Sequence, residues 1–219
     1  MRHKTFISSM VGTAAAMFAA GSANAVLTPY VDGFTTAFSA SSSGSNATPA
    51  PGSGAFAERS VTISGSGNAS SAGSGSADVT VGHTNYGYGR TTLFYSQTAA
   101  PLNWSSVTSF SVTVSNYTGG GQTLFMMSAY SGPTSTGNFS SHNQMVTGDG
   151  VVTFNVASFY GGSPVDWSGV TYLSLGMQRS GQAGTGGSFT LSDFTYVPAP
   201  GAVALLGGAG LIGARRRRA

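Results

Sequence analysis

Short stretches in which apolar and polar residues alternate recur through the middle of the chain. Phe110, Val112 and Val114 fall on one side of an extended segment, and Ser111 and Thr113 fall on the other. Similar apolar patterning predicts further strands at 31–38, 56–63, 77–81, 89–96, 122–130, 152–156, 173–177 and 189–191. Clusters of Gly, Ser and Asn separate these segments, and none has a helical period. The pattern favours an all-β, antiparallel, jelly-roll-like β-sandwich, with a solenoid as the second choice.

Two segments without an apolar period separate the first three of these strands. Residues 41–54 and 64–76 consist mostly of Ser, Gly, Ala and Pro. Such segments bury too little apolar area to offset the entropy lost on ordering. They are predicted to be long loops at one end of the sandwich, with the strand at 56–63 between them.

The two tryptophans stand in similar local sequences. The segment from Trp104 to Val112 resembles the segment from Trp167 to Leu175, and both combine an indole with a following alternating strand. Two copies are too few for a repeat array. We expect each Trp to cover an end of the core where a strand enters its sheet, in preference to stacking on a sugar.

The N-terminus has the order of features that marks a secretory signal. Arg2 and Lys4 precede an apolar run at 6–20, and the small residues Ala23 and Ala25 follow it. This predicts a signal helix that a signal peptidase removes after Ala25. The mature chain is then exported, and its sandwich domain is predicted to cover residues 26–196.

The C-terminus combines three features within residues 197–219. An apolar stretch at 202–214 is predicted to form a short transmembrane helix of about 20 Å, less than the ~30 Å of a bilayer core. A cluster of cations after it holds that end in the cytoplasm. The motif before the helix and the cations after it are Val197, Pro198, Ala199, Pro200, Gly201, Arg215, Arg216, Arg217 and Arg218.

This arrangement resembles the PEP-CTERM sorting signal of bacteria, with Ala199 at the position where that family usually has Glu. The resemblance implies that an exosortase-type enzyme cuts near the Pro-Gly motif after transient anchoring in the inner membrane. It further implies that the protein reaches the cell surface or the extracellular matrix of a bacterium that makes exopolysaccharide and biofilm.

Composition narrows the function further. The chain has 219 residues, of which 7% are charged, and it has no Cys. Disulfides, thiolate catalysis and Cys-based zinc sites are therefore excluded. Between residues 26 and 196, three Arg stand against six acids, a net charge of −3. That balance argues against a nucleic-acid partner, which requires clustered cations.

Candidate catalytic groups are sparse, and no catalytic residue, metal site or cofactor is predicted. One Glu and five Asp give poor prospects for the paired carboxylates of a glycosidase, and no G-x-S-x-G segment occurs. Asp149 and Asp166 are predicted to bond backbone amides in turns. A calcium site is left as an open alternative, and no ligands are named for it. The rival hypothesis, a secreted hydrolase acting on matrix polysaccharide, requires His83 or His142 beside an Asp in a pocket.

One polar and aromatic cluster suggests a binding site. Tyr86, Tyr88 and Arg90 alternate, so an extended strand would place all three on one face. Tyr with a planar Arg can stack on sugars and bond their hydroxyls, although packing of these Tyr against a loop or in the core is the favoured alternative. The sequence thus predicts a non-catalytic surface or matrix protein that is a candidate to bind exopolysaccharide. A self-assembling structural protein that pairs through its edge strands is a further alternative.

Overall fold

The computed structural model describes residues 30–41, 45–49, 55–65, 67–82, 89–97, 100–119, 122–132, 137–179 and 186–199. These residues form β-strands and one 3-10 turn at Val156–Ser158. The strands are β1 Tyr30–Asp32, β2 Phe38–Ser41, β3 Ser45–Pro49, β4 Glu58–Ser64, β5 Gly67–Ser71, β6 Ser76–Val81, β7 Gly89–Ser96, β8 Val107–Thr118, β9 Thr123–Ser131, β10 Asn138–Val146, β11 Gly150–Asn155, β12 Tyr160–Ser163, β13 Val170–Arg179 and β14 Gly187–Pro198.

The strands form two antiparallel sheets. The first sheet has the order β11-β8-β14-β6-β5-β2, with β1 also paired to β14. The second sheet has the order β12-β10-β9-β13-β7-β4-β3. The predicted antiparallel β-sandwich is therefore confirmed. The helices predicted in residues 1–25 and 202–214 lie outside the described residues.

The core consists of the inward-facing positions of both sheets. Every second residue is buried along β9 and from Phe110 to Val114 of β8, whereas β13 is buried at most positions on both of its faces. Phe110, Phe125, Leu173 and Leu175 are fully enclosed. Each large apolar side chain removed from water in this way contributes roughly 1.5–3 kcal/mol. The alternation that predicted the strands is thus the pattern of burial between the sheets.

The chain crosses repeatedly between the sheets. In the second sheet β13 lies between β9 and β7, and in the first sheet β14 lies between β8 and β6. The last two strands of the chain therefore lie between strands that come much earlier in the sequence. A solenoid stacks each unit on its neighbour in sequence, so the solenoid alternative is wrong for the described residues.

The strand predicted at 31–38 is interrupted. β1 ends at Asp32 and β2 begins at Phe38. The Asp32 carboxylate accepts a hydrogen bond of 2.7 Å from the Phe34 amide, and Phe34 has a φ of 52°. This local bond turns the chain out of the sheet before a continuous strand can form.

The loops predicted at 41–54 and 64–76 contain strands, so that prediction is wrong for part of each segment. β3 pairs with β4, and β5 lies between β2 and β6. In β5 the side chains of Ala69 and Ser71 are buried although they are small. Backbone hydrogen bonds to two neighbouring strands order this segment, which the composition of its side chains does not reveal.

Both tryptophans lie at one end of the core. Trp104 comes just before β8, and Trp167 comes just before β13. Trp104 is buried and its ring centroid lies 5.0 Å from that of Phe110. Trp167 is partly buried, 6.0 Å from the same ring. The Trp104 amide donates to the Trp167 carbonyl at 2.7 Å. These contacts give both indoles the packing role that the sequence predicted.

The final strand continues into the segment that resembles a sorting motif. Val197 and Pro198 are the last residues of β14 and pair with Ser109 and Val107 of β8. The Ala199 amide then donates to the Ser106 carbonyl at 2.5 Å. Across the described ranges, no helix is long and apolar enough to cross a membrane.

Candidate functional site

The two sheets differ in the chemistry of their outward faces. The described outer positions of the first sheet carry mainly short hydroxyl side chains, and many of these bond one another. Ser111 contacts Thr195 at 3.0 Å, and Thr190 donates to Asp78 at 2.8 Å. The outward residues in the middle of this sheet are Thr80, Ser111, Thr113, Thr190 and Ser192.

The outward face of the second sheet instead carries a row of aromatic rings. The aromatic row consists of Phe94, Tyr172, Tyr130 and Phe139, one from each of β7, β13, β9 and β10. Ring centroids lie 5.7 Å apart for Phe94 and Tyr172, 6.1 Å for Phe94 and Tyr130, and 5.7 Å for Tyr130 and Phe139. At ~4.8 Å between strands the row extends about 14 Å across the sheet.

Strand register brings these rings together. Tyr130 of β9 pairs with Tyr172 on one side and with Phe139 on the other. Because side chains alternate along a strand, the residues that flank Tyr130 point into the core, and Ala129 is fully buried. The aromatic row is thus held on four strands whose opposite faces point into the sandwich.

Small residues of β13 lie beside the aromatic row. Ser174 pairs with Phe94 and with Ser128, and Gly176 pairs with Thr92 and with Met126. Ser174 is only 3% exposed although it faces outward. Larger side chains on the neighbouring strands therefore cover it.

Arg90 lies against the same small residues of β13. Its Nε donates to Thr92 Oγ1 at 3.1 Å. A Cβ atom at Gly176 would stand 2.9 Å from the Arg90 Nη2 atom and 3.1 Å from Nε. The absence of a side chain at Gly176 is therefore what allows the guanidinium to lie against β13.

Exposed polar and apolar groups continue the face toward the edge of the sheet. Phe139 and Met145 are 44% and 50% exposed, and Tyr160 of β12 is 59% exposed. The Asn143 side-chain amide donates to the Tyr160 hydroxyl at 2.8 Å. The face thus combines exposed rings with amide and hydroxyl groups that can exchange hydrogen bonds with a ligand.

Of the predicted binding residues, the structure describes one. Tyr86 and Tyr88 lie outside the described residues. Arg90 lies on the outward face of the second sheet, as described above. The rings of the aromatic row were not predicted as site residues. A sequence signal for them existed in β9, where Leu124, Met126 and Tyr130 make the outward side almost as apolar as the inward side.

His142 does not have the surroundings that the hydrolase hypothesis requires. Its ring centroid lies 5.8 Å from that of Phe154 and 5.7 Å from that of Phe159, and its Nε2 atom contacts the Gln144 amide at 3.2 Å. Burial lowers the pKa of the His142 imidazole. His83 lies outside the described residues. Within the described ranges no group of three His, Asp or Glu could hold a metal ion.

The two turn aspartates differ in their partners. Asp166 Oδ1 accepts from the hydroxyl and the amide of Ser168 at 2.7 and 2.9 Å, and these bonds lower the pKa of its carboxyl. The predicted turn role of Asp166 is confirmed. Asp149 accepts instead from the amide of Tyr117, 2.7 Å away in another strand. Its carboxylate links the β10–β11 turn to β8.

A pocket of about 420 Å³ lies within the hairpin of β10 and β11, lined by residues 144–153. Its one carboxylate is that of Asp149, which is occupied by the Tyr117 amide. The pocket therefore brings together no group of reactive side chains. The outward face of the second sheet offers more aromatic and hydrogen-bonding groups.

No family model matches the chain, and no curated protein matches it. Among solved structures, the chain is similar to the family 11 carbohydrate-binding module of the cellulosomal cellulase Lic26A-Cel5E of Clostridium thermocellum. The identity is 14%, the match covers 78% of this chain and 94% of that one, and the TM-score is 0.43.

Two further solved structures are similar to the chain. The xyloglucanase domain of NopAA from Sinorhizobium fredii matches at 14% identity, over 74% of this chain and 98% of that one, with a TM-score of 0.42. The agarase AgWH50C matches at 13% identity, over 64% of this chain and 22% of that one, with a TM-score of 0.43. Similarity at this level transfers neither a binding site nor an activity.

Proposed function

We propose that this protein is a non-catalytic polysaccharide-binding module that acts outside the cell. The observation that carries the proposal is the aromatic row on the outward face of the second sheet. The four rings face outward, from exposed Phe139 to half-buried Phe94, Tyr130 and Tyr172, so they lie outside the core of the sandwich. Rings on such a face suit the flat apolar surfaces of sugar rings, and the first sheet has no comparable row among its described residues.

Two kinds of contact support binding of a sugar chain by this face. The ring faces of Tyr130 and Tyr172 bury the C–H surfaces of a sugar, and rigid aromatic side chains lose little entropy when they do so. Ser128, Asn143 and Gln178 lie outward on the same sheet and can bond sugar hydroxyls. Apolar rings with polar neighbours give both affinity and orientation.

Substitution of the aromatic row tests the proposal. We expect Tyr130→Ala and Tyr172→Ala each to weaken binding to the host's own exopolysaccharide by at least about tenfold, because aromatic side chains that become buried against a ligand carry much of the binding energy. Affinity electrophoresis in gels containing that polysaccharide measures the change. Thr190→Ala, on the outward face of the first sheet, is the matched control and should bind as the unsubstituted protein does. Unchanged retention of both Tyr variants, with unchanged thermal unfolding, would refute this site.

The proposal also includes the route by which the protein reaches its ligand. The signal-like N-terminus and the sorting-like C-terminus support export, anchoring through a short C-terminal helix, and release or attachment at the surface by an exosortase-type enzyme. A β-sandwich with a jelly-roll-like crossing of strands is then the part that remains. The mature protein is then located at the cell surface or in the extracellular matrix.

Intact-mass analysis of the protein recovered from its host tests this route. We expect a mature species that begins at Val26 and lacks the cluster from Arg215 to Arg218. Because β14 includes Val197 and Pro198, we expect both residues to remain in that species. A mature protein that keeps either the first 25 residues or the terminal Arg cluster would contradict the proposed processing.

A further inference from the structure

The outward face of the second sheet holds a cation that no carboxylate neutralises within the described part of the chain. That cation is Arg90, and the one salt bridge among the described residues joins Arg59 to Asp32 in the core. We propose that the polysaccharide bound by this face carries carboxylates, as a uronic acid does, and that Arg90 pairs with one of them. This inference rests on the proposed function and adds the chemical class of the sugar.

The orientation of Arg90 is fixed before any ligand arrives. Its Nε is occupied by Thr92 Oγ1 at 3.1 Å, and its guanidinium lies against β13 at Gly176. These contacts leave donors on the two terminal nitrogens of the planar group. A guanidinium with two parallel N–H donors matches the two oxygens of a carboxylate, and such bidentate pairs are stronger than bonds between neutral groups.

The charge distribution on this face favours an anionic group at Arg90. Glu58 supplies the one acid among the outward side chains described on the second sheet, and it pairs with Ser96 at the far end of β7. Arg90 pairs with Ser64, six positions further along β4 from Glu58. At ~3.3 Å per residue the two positions are about 20 Å apart, which is beyond the range of effective attraction at physiological salt.

The position of Arg90 relative to the aromatic row also fits a substituted sugar. The guanidinium lies beside Thr92, which is two residues from Phe94 on the same side of β7. Two residues along a strand span about 7 Å. A carboxylate on a sugar that stacks at Phe94, or on the adjoining sugar, therefore reaches Arg90 while the ring remains on the aromatic row.

The test compares three forms of one oligosaccharide by isothermal titration calorimetry with the purified protein. The first is a hexamer from alginate, whose sugars carry a carboxylate at C6. The second is its carboxyl-reduced form, and the third is the reduced form with sulfate at C6. Arg90→Gln removes the cation, Arg90→Lys keeps the charge without the fork, and Glu58→Gln is the control on the same face.

We expect the carboxylate form to bind at least about tenfold more tightly than the reduced form. Arg90→Gln should remove that preference while changing affinity for the reduced form less than twofold. Arg90→Lys should recover part of the preference, and Glu58→Gln should keep it. Circular dichroism spectra and thermal unfolding of the variants establish that the sandwich is intact.

Other outcomes overturn the inference in distinguishable ways. A sulfate form bound as tightly as the carboxylate form would contradict the carboxylate assignment. Binding of the reduced form without preference for the carboxylate would defeat the inference and leave the proposed function standing. An equal loss for all three forms in Arg90→Gln would show that Arg90 shapes the face without recognising an anion. If the unsubstituted protein bound neither the three forms nor the host polysaccharide, both the inference and the proposed function would be wrong.

Discussion

Replacement of Arg59 by Met should lower the free energy of unfolding by about 3–5 kcal/mol, the range measured when one partner of a buried ion pair is removed. Arg59 and Asp32 are 1% and 2% exposed, and they form the ion pair inside the sandwich. Loss of the guanidinium leaves the Asp32 carboxylate buried without a countercharge. Urea unfolding followed by tryptophan fluorescence measures the change.

The effect extends beyond the ion pair because Arg59 also holds the chain between β1 and β2. Its Nη2 donates to the Thr36 carbonyl at 2.9 Å, and its guanidinium lies 4.1 Å from the centre of the Phe38 ring. Burial and the nearby negative charge of Asp32 together raise the pKa of the Tyr95 hydroxyl well above its usual range. Tyr95 therefore stays neutral and supplies no countercharge to Asp32.

A second variant separates the charge from the packing. Asp32→Asn combined with Arg59→Met removes the unpaired carboxylate and keeps the oxygen that accepts from the Phe34 amide. We expect this double variant to be more stable than Arg59→Met alone. Asp193→Asn, at an exposed acid whose φ of 49° Asn tolerates, should change stability by less than about 0.5 kcal/mol. A loss below about 1 kcal/mol in Arg59→Met would contradict this account of the core.

Replacement of Phe110 by Ala should lower the free energy of unfolding by a similar amount, about 3–5 kcal/mol. Phe110 is fully buried, with ring centroids at 5.0 Å from Trp104, 6.0 Å from Trp167 and 6.3 Å from Phe159. The neighbouring aromatic rings are too large to fill the cavity that the substitution leaves unless β8 and β13 shift. The same urea unfolding experiment measures the loss.

Phe139→Ala provides the matched control for Phe110→Ala, because it removes the same ring from the outward face. Phe139 is 44% exposed and stacks on Tyr130. We expect it to lose about 1 kcal/mol of stability or less. If Phe139→Ala destabilised the protein as much as Phe110→Ala, the division of the second sheet into a core face and a binding face would be wrong.

The fold could be predicted where side chains alternate in size and polarity. β7 has the predicted limits, and β13 includes the predicted alternation of Leu173, Leu175 and Met177. β10 was missed because its inward positions include Ser140, His142 and Gln144, which give no apolar period. β5 was missed because Ala and Ser fill the inward positions. In both strands backbone pairing with neighbours provides order that local sequence does not express.

The site could be predicted only in part for a different reason. Arg90 was found because it alternates with nearby aromatic residues in one local segment. The aromatic row joins residues far apart in the chain, and Phe94 and Tyr172 belong to strands separated by five others in sequence. Their meeting depends on which strands pair and in which register, and a single sequence does not specify either.

A map of the bound sugar on the folded protein would show whether the outward face of the second sheet is the binding site. Amide chemical shifts, recorded by NMR during titration with oligosaccharides of the host exopolysaccharide, report which strands contact the ligand. We expect shifts concentrated on β7, β13, β9 and β10 around the aromatic row, with β6 and the exposed part of β8 unaffected. Shifts concentrated on the first sheet, or in the hairpin of β10 and β11 alone, would contradict it.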